Sequence, residues 1–355
     1  MTAPKFLTKA NSFQAELRRR TNDYFIEVGK ASTGNSELFI KAIILTVSFI
    51  AIYVHVVFFT PAAWVAIIEC VVLGGLTAAI GFNVMHDGAH GSFSKYDWVN
   101  EMAGMSLNFL GANVFMWKTK HNVVHHTFTN IAEVDDDIDA RPFLRMCETQ
   151  KHYKVHRYQH LYFWAAYSLL YMHWIFFTDY EKYFTKKVGN MPLKPMTVKD
   201  HVSFWAFKVI HVALFVALPI YLLGFLPWLV GFLVYAMFTG FVISMVFQLA
   251  HVVEETHFPV ATQPANQLED EWAVHQLKTT ANFATKNKVI TWLVGGLNYQ
   301  IEHHLFPKIS HVHYPAISKI IKQACAEYNV PYIEHQKTRM AVASHVAHLR
   351  HLGRN

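Results

Sequence analysis

The chain has 355 residues, of which 53% are hydrophobic and 16% charged, against about 25% charged residues in an average soluble protein. The apolar residues fall in long blocks, which argues against a single soluble core and for a membrane protein. The net charge of +6 suits anionic headgroups, whereas nucleic-acid binding is disfavoured because the basic residues are scattered and carry no recognition motif.

Residues 1–37 are mostly polar and read as an N-terminal cytoplasmic segment with no cleavable signal peptide. The first apolar block covers about 38–59 and the second about 62–84, broken only by Thr60-Pro61. A second pair covers about 202–223 and 227–250, joined at Gly224-Phe225-Leu226. Each block of about 22 residues makes roughly 33 Å of helix, enough to cross a bilayer core of about 30 Å. No Lys or Arg occurs from Ala42 to Ser94 or from Val209 to Leu277. By the positive-inside rule both hairpin turns then face out, and both termini and residues 95–200 face the cytoplasm. The expected fold is all-α and integral to the membrane: four transmembrane helices in two hairpins within a domain of residues 38–330, a cytoplasmic helical cap, and a peripheral tail at 331–355.

Two further apolar stretches read as interfacial or buried helices rather than spans. Met102–Trp117 is interrupted by Gly104, Asn108, Gly111 and Asn113, and Leu161–Phe177 is crowded with aromatic residues. Cys70, Cys147 and Cys325 are too few and too widely spaced for a disulfide framework.

Histidine is the compositional outlier, at 23 residues. Three clusters lie where the spans stop: His86-Asp87-Gly88-Ala89-His90, then His121-Asn122-Val123-Val124-His125-His126, then Gln300-Ile301-Glu302-His303-His304. Helical residues four apart share a face, so His86/His90 and His121/His125 can each converge on one metal. Adjacent residues are rotated by about 100° and cannot share a face. The pairs His125/His126 and His303/His304 therefore point to two ions, and the cap is expected to hold a di-metal site. Imidazole suits zinc, copper, iron and nickel. The His-Glu-x-x-His of a zinc protease is absent, and seven histidines exceed the ligand count of a zinc site. Iron with positions open to O2 fits better, and spacing alone leaves copper open.

In this order and on this topology the three boxes resemble those of the membrane fatty-acid desaturases, with Gln300 resembling the front-end and linoleoyl-CoA-type branch. The resemblance covers roughly residues 38–330 and includes the flanks Thr127-Phe128-Thr129-Asn130 and Gly295-Gly296-Leu297-Asn298-Tyr299. It implies two iron ions, O2 as co-substrate, and a cis double bond introduced into a long-chain acyl group carried on coenzyme A or on a lipid. It also implies a further histidine ligand at the end of the fourth span, where His251 stands. In part of the family a histidine replaces Gln300, whose amide is a weaker donor, so His275 and His257 are candidate substitutes. Some relatives carry a fused cytochrome b5 marked by His-Pro-Gly-Gly, an element absent here. The expected electron donor is a separate ferredoxin or cytochrome b5.

Ligating histidines usually donate their second N–H to an outer acceptor, and Asp87, Glu302 and the run Asp135–Asp139 are at hand, with Asp137 and Asp139 the chosen candidates. Trp117, just before the second box, is the candidate lining residue of an acyl channel. Lys118, Lys120, Arg141 and Arg145 could meet a phosphate-bearing headgroup, although positive-inside bias explains them equally. His152, His156 and His160 are interleaved with basic residues and read as a headgroup- or partner-facing surface, and His311, His313, His345, His348 and His351 as surface histidines. A hydroxylase or ketolase of the same superfamily would use the same boxes. A histidine-rich transporter would instead place its ionisable groups near the bilayer midplane.

Overall fold

The computed structural model describes residues 4–8, 12–263 and 265–355. Among them four helices are long and apolar enough to cross a membrane: Ser36–Phe58, Ala63–His90, Val198–Leu223 and Phe225–His251. Sheet is confined to a few two-residue strands, so the all-α expectation holds. The first span starts at Asn35, whose side chain accepts from the Leu38 amide. The last two spans meet at Gly224, at φ +87°, which breaks the helix for a single residue.

Close approach of the helices depends on small residues, as in other helical membrane proteins. A side chain at Gly74 of the second span would meet the Tyr235 carbonyl of the fourth at 2.7 Å, and one at Gly240 would meet the Ser168 carbonyl at 2.6 Å. Gly240 thus lets the aromatic helix Gln159–His173 dock along the fourth span. The Tyr171 hydroxyl reaches both the Leu110 carbonyl and the Tyr235 hydroxyl. This helix and Asp97–Phe109, which ends at the irregular Leu110–Asn113 segment, are not among the candidate spans.

The helices nearest the two termini pack onto the histidine-bearing region. Phe13 and Leu17 of helix Phe13–Val28 share a core with Ile301 and Leu305 of the third box. The C-terminal helix Thr338–Leu352 buries Ala341, His345, Leu349 and Leu352, so it is integral to the fold rather than peripheral.

Several histidines expected at the surface are instead buried. His156 bonds the Pro142 carbonyl at 2.9 Å, and His345 lies between the Tyr167 hydroxyl and the Val252 carbonyl. His313 bonds the Thr33 carbonyl at 3.1 Å. His311 joins Asp87 Oδ2 at 3.0 Å to Lys41 Nζ at 3.0 Å, and Lys41 continues to Asn83 Oδ1 at 2.6 Å. This chain ties the first two spans to the loop after the third box. Composition around a histidine says little about burial when its partner is a distant backbone carbonyl.

Candidate metal centre

Helix ends deliver the histidines. His86 and His90 end the second span, directly after a π-helical turn at Gly81–Met85. The second box lies within residues 114–128, where Thr119–His125 is again π-helical. The third box is the short helix Gln300–Leu305, and His251 closes the fourth span. All eight histidines assigned to the boxes and to position 251 are buried.

They form two groups. His86, His90, His121 and His303 bring ring nitrogens within 4.8 Å of one another, and so do His125, His251 and His304. His126 lies between the groups, with its ring 4.5 Å from His303 and 4.4 Å from His304. A third, overlapping set joins His121 and His125 to Asp137. The doublet His303/His304 divides between the two groups as successive helical positions should. His121 and His125 do not share a main group as their α-helical spacing suggested. The π segment bonds i to i+5 and widens the turn, which carries His121 to the first group and His125 to the second.

The outer partners orient the rings. His125 Nδ1 donates to Asp135 Oδ2 at 3.0 Å, His251 Nδ1 to the Thr279 carbonyl at 3.3 Å, and His304 Nδ1 to Gln276 Oε1 at 2.8 Å. His303 Nδ1 pairs with the Tyr314 hydroxyl at 3.1 Å. Carboxylate, carbonyl and amide oxygens only accept, so in the first three rings Nδ1 carries the hydrogen and Nε2 the lone pair. The Nε2 atoms of His90, His125, His251, His303 and His304 are buried with no hydrogen-bond partner. On His125, His251 and His304 these are acceptors by that tautomer; orphaned buried acceptors are costly, and a cation is the natural partner for a convergent set of them. His86 Nε2 and His121 Nε2 face each other at 3.2 Å, close to the separation of two nitrogens sharing an ion at metal–nitrogen distances of about 2.1 Å. The donor set fits first-row transition ions.

Electrostatics agree with that fit at four of the rings. Burial, and then the neighbouring imidazoles, hold His121, His126, His303 and His304 well below the ordinary histidine range, in the neutral form that binds metal. Burial also pulls on His125, but the charge and hydrogen bond of Asp135, with help from Asp137, lift it above the usual value. Asp135 is itself held by the Asn130 and Asp137 amides.

The remaining site expectations divide. Asp137 pairs with Lys120 at 2.7 Å and stands 3.8 Å from His125 Nδ1, behind Asp135. Asp139 is turned away to Arg141. Asp87 holds Ser310 and His311, and Glu302 holds Asn282 and Tyr332, so neither orients a clustered histidine. His257 is exposed. His275 is buried against Phe6, 5.2 Å between rings, and joins neither group. Gln300 is buried with Oε1 unpartnered. Of the rim cations, Arg145 is buried on the carbonyls of Glu148, Gln150 and Leu352, and Lys120 and Arg141 are paired with carboxylates. Trp117 stacks on His121 at 4.4 Å and stands 5.6 Å from His86. It joins an apolar cluster with Leu73, Met85, Tyr171 and Tyr235 that leads from the histidines in among the spans. Gln276, Thr279 and Tyr314 were not foreseen as orienting partners, and Asp135 was foreseen only as a member of the acidic run.

The protein is thus helical, with four membrane-length helices and a buried polyhistidine cluster able to hold metal. The model of the family described as fatty acid desaturase matches residues 62–336. The chain is 37% identical over 350 residues to an sn-1 linoleoyl-lipid 6-desaturase of Arthrospira platensis, covering 98% of this chain and 94% of that protein. It is 34% identical over 348 residues to an sn-1 linoleoyl-lipid 6-desaturase of Synechocystis sp., covering 98% and 97%. It is also 32% identical to an acyl-lipid (8-3)-desaturase of Physcomitrium patens, covering 96% of this chain and 72% of that protein. The chain belongs to the fatty acid desaturase family and is an oxidoreductase of fatty-acyl chains.

Proposed function

We propose that the chain is a front-end acyl-lipid desaturase that uses two iron ions and O2 to place a cis double bond in a long acyl chain esterified to a membrane lipid. The set of inward Nε2 atoms on rings locked through Nδ1 carries this reading. His86, His90, His121 and His303 are the proposed ligands of one ion and His125, His251 and His304 of the other, with His126 beside both. Bound there, iron would supply the power to activate O2 against an unactivated methylene.

The protein's own residues do the rest. Asp135, Gln276 and Thr279 hold their rings in one tautomer, and Tyr314 orients the ring of His303. Trp117 forms an apolar wall beside the first group, suited to hold methylenes against it and exclude water. The acyl-lipid assignment rests on the names of the cyanobacterial and moss relatives. Charge asymmetry supports cytoplasmic termini, and a separate carrier protein supplies the two electrons each turnover consumes.

Expression in a host of defined lipid composition tests the reading. Lipid extracts should contain a new cis-unsaturated fatty acid, found in complex lipids before it appears in the acyl-CoA pool. A hydroxylated or keto product, or a product confined to acyl-CoA, would contradict it.

A further inference from the structure

The helix Lys288–Leu293 lies against the same ends of the spans that carry the histidines. The Trp292 and Leu293 carbonyls accept from Lys41 Nζ at 3.4 Å and Asn83 Nδ2 at 2.9 Å, on the first and second spans. Val294, directly after it, is buried with Ala78, Phe82 and Leu249 of the second and fourth spans. Its other side is apolar and open: Val289, Trp292 and Leu293 are 67%, 41% and 47% exposed. A short helix showing Trp and aliphatic side chains outward at the level where spans end sits at the headgroup boundary.

At the start of this helix is an open cavity of about 470 Å³, lined by Lys286, Asn287, Lys288, Gln336, Lys337 and Thr338 among others. None of the clustered histidines lines it. Lys286, Lys288 and Lys337 are exposed along its lining, and none is in a salt bridge among the described residues. The adjacent carboxylate, Glu334, is already engaged by Lys322 at 2.7 Å and by Thr285. The first turn of the C-terminal helix Thr338–Leu352 also opens onto the cavity. Its N-cap, Lys337, supplies no side-chain cap, and the first amides of a helix lack intrahelical partners and favour anions.

We infer that this cavity seats the phosphodiester of an anionic phospholipid, with Lys286, Lys288 and Lys337 neutralising it and the acyl chains running along Val289, Trp292 and Leu293. The shared chemistry is a phosphate oxyanion, and the flanking apolar face selects a lipid over free phosphate. The site is separate from the metal centre and does not rest on the iron assignment.

Titration of the delipidated full-length chain with phosphatidylglycerol, followed by native mass spectrometry, tests the inference. The variant Lys286→Gln/Lys288→Gln/Lys337→Gln should bind about 100-fold more weakly, given the contribution of each lysine at an anionic surface. A control of equal charge loss, Lys151→Gln/Lys154→Gln/Lys194→Gln, should stay within about twofold, because bulk surface charge acts only through a screened field. The single variant Lys337→Gln should show part of the loss with an unaltered melting curve, which separates the effect from misfolding. Equal weakening in the control, unchanged binding in the triple variant, or displacement of the lipid by millimolar inorganic phosphate would overturn the lipid seat.

Discussion

Replacing His125 by alanine should reduce desaturated product to background while leaving the chain inserted in the membrane. His125 is fully buried, its Nδ1 is committed to Asp135, and its ring is 4.7 Å from His251 and 4.8 Å from His304. Among the described residues the second group brings together three histidines, so loss of one leaves two of them to hold an ion. Loss of an outer partner alone typically costs 10–100-fold in metal affinity or activity, and loss of a ligand should exceed about 100-fold on that scale. His257→Ala is the matched control, since His257 is exposed and belongs to neither group. Product yield from whole-cell lipid, normalised to membrane-inserted protein, is the readout. Near-normal product from His125→Ala, or comparable loss from His257→Ala, would remove the second group from the chemistry.

Asp135→Ala should lower activity and iron retention by about 10–100-fold, the usual effect of removing a carboxylate behind a ligating histidine. Asp135 holds the His125 ring and is itself pinned by two backbone amides, and Asp137, 3.8 Å from the same nitrogen, would replace it only in part. Asp135→Asn keeps an acceptor oxygen but loses the charge, and should fall between wild type and alanine. Asp139→Ala should be nearly silent, because Asp139 serves Arg141 at a partly exposed position. A purely structural role for Asp135 would lower protein yield and leave iron per folded chain unchanged, so iron retention at limiting iron distinguishes the two. Equal effects at 135 and 139 would return the outer shell to an undifferentiated acidic loop.

The contrast between these aspartates shows how far the chain could be read from its residues. The four spans were legible because a bilayer imposes both length and apolarity, and the structure places them within a few residues of the blocks. The two-direction argument for adjacent histidines carried through at His303/His304, which do divide between groups. It was incomplete at His121 and His125, because a π segment follows no hydrophobic periodicity and reassigns a ring without any change in spacing. Preferring Asp139 to Asp135 missed for a similar reason, whereas Asp137 does stand near His125, 3.8 Å from Nδ1. In an irregular loop around a single 3₁₀ turn, Asp136–Ile138, only the three-dimensional path decides which carboxylate turns inward. Gln276 and Tyr314 orient His304 and His303 from separate helices, contacts that neither residue advertises in sequence.

All of this rests on histidines from four separated segments gripping a pair of redox-active ions. Elemental analysis of purified, active protein, run in parallel on His125→Ala and His303→Ala, tests that most directly. The account predicts close to two irons per wild-type chain and a loss of iron together with activity in both variants. Full activity with no iron, with another metal in its place, or with iron content indifferent to both substitutions would contradict it.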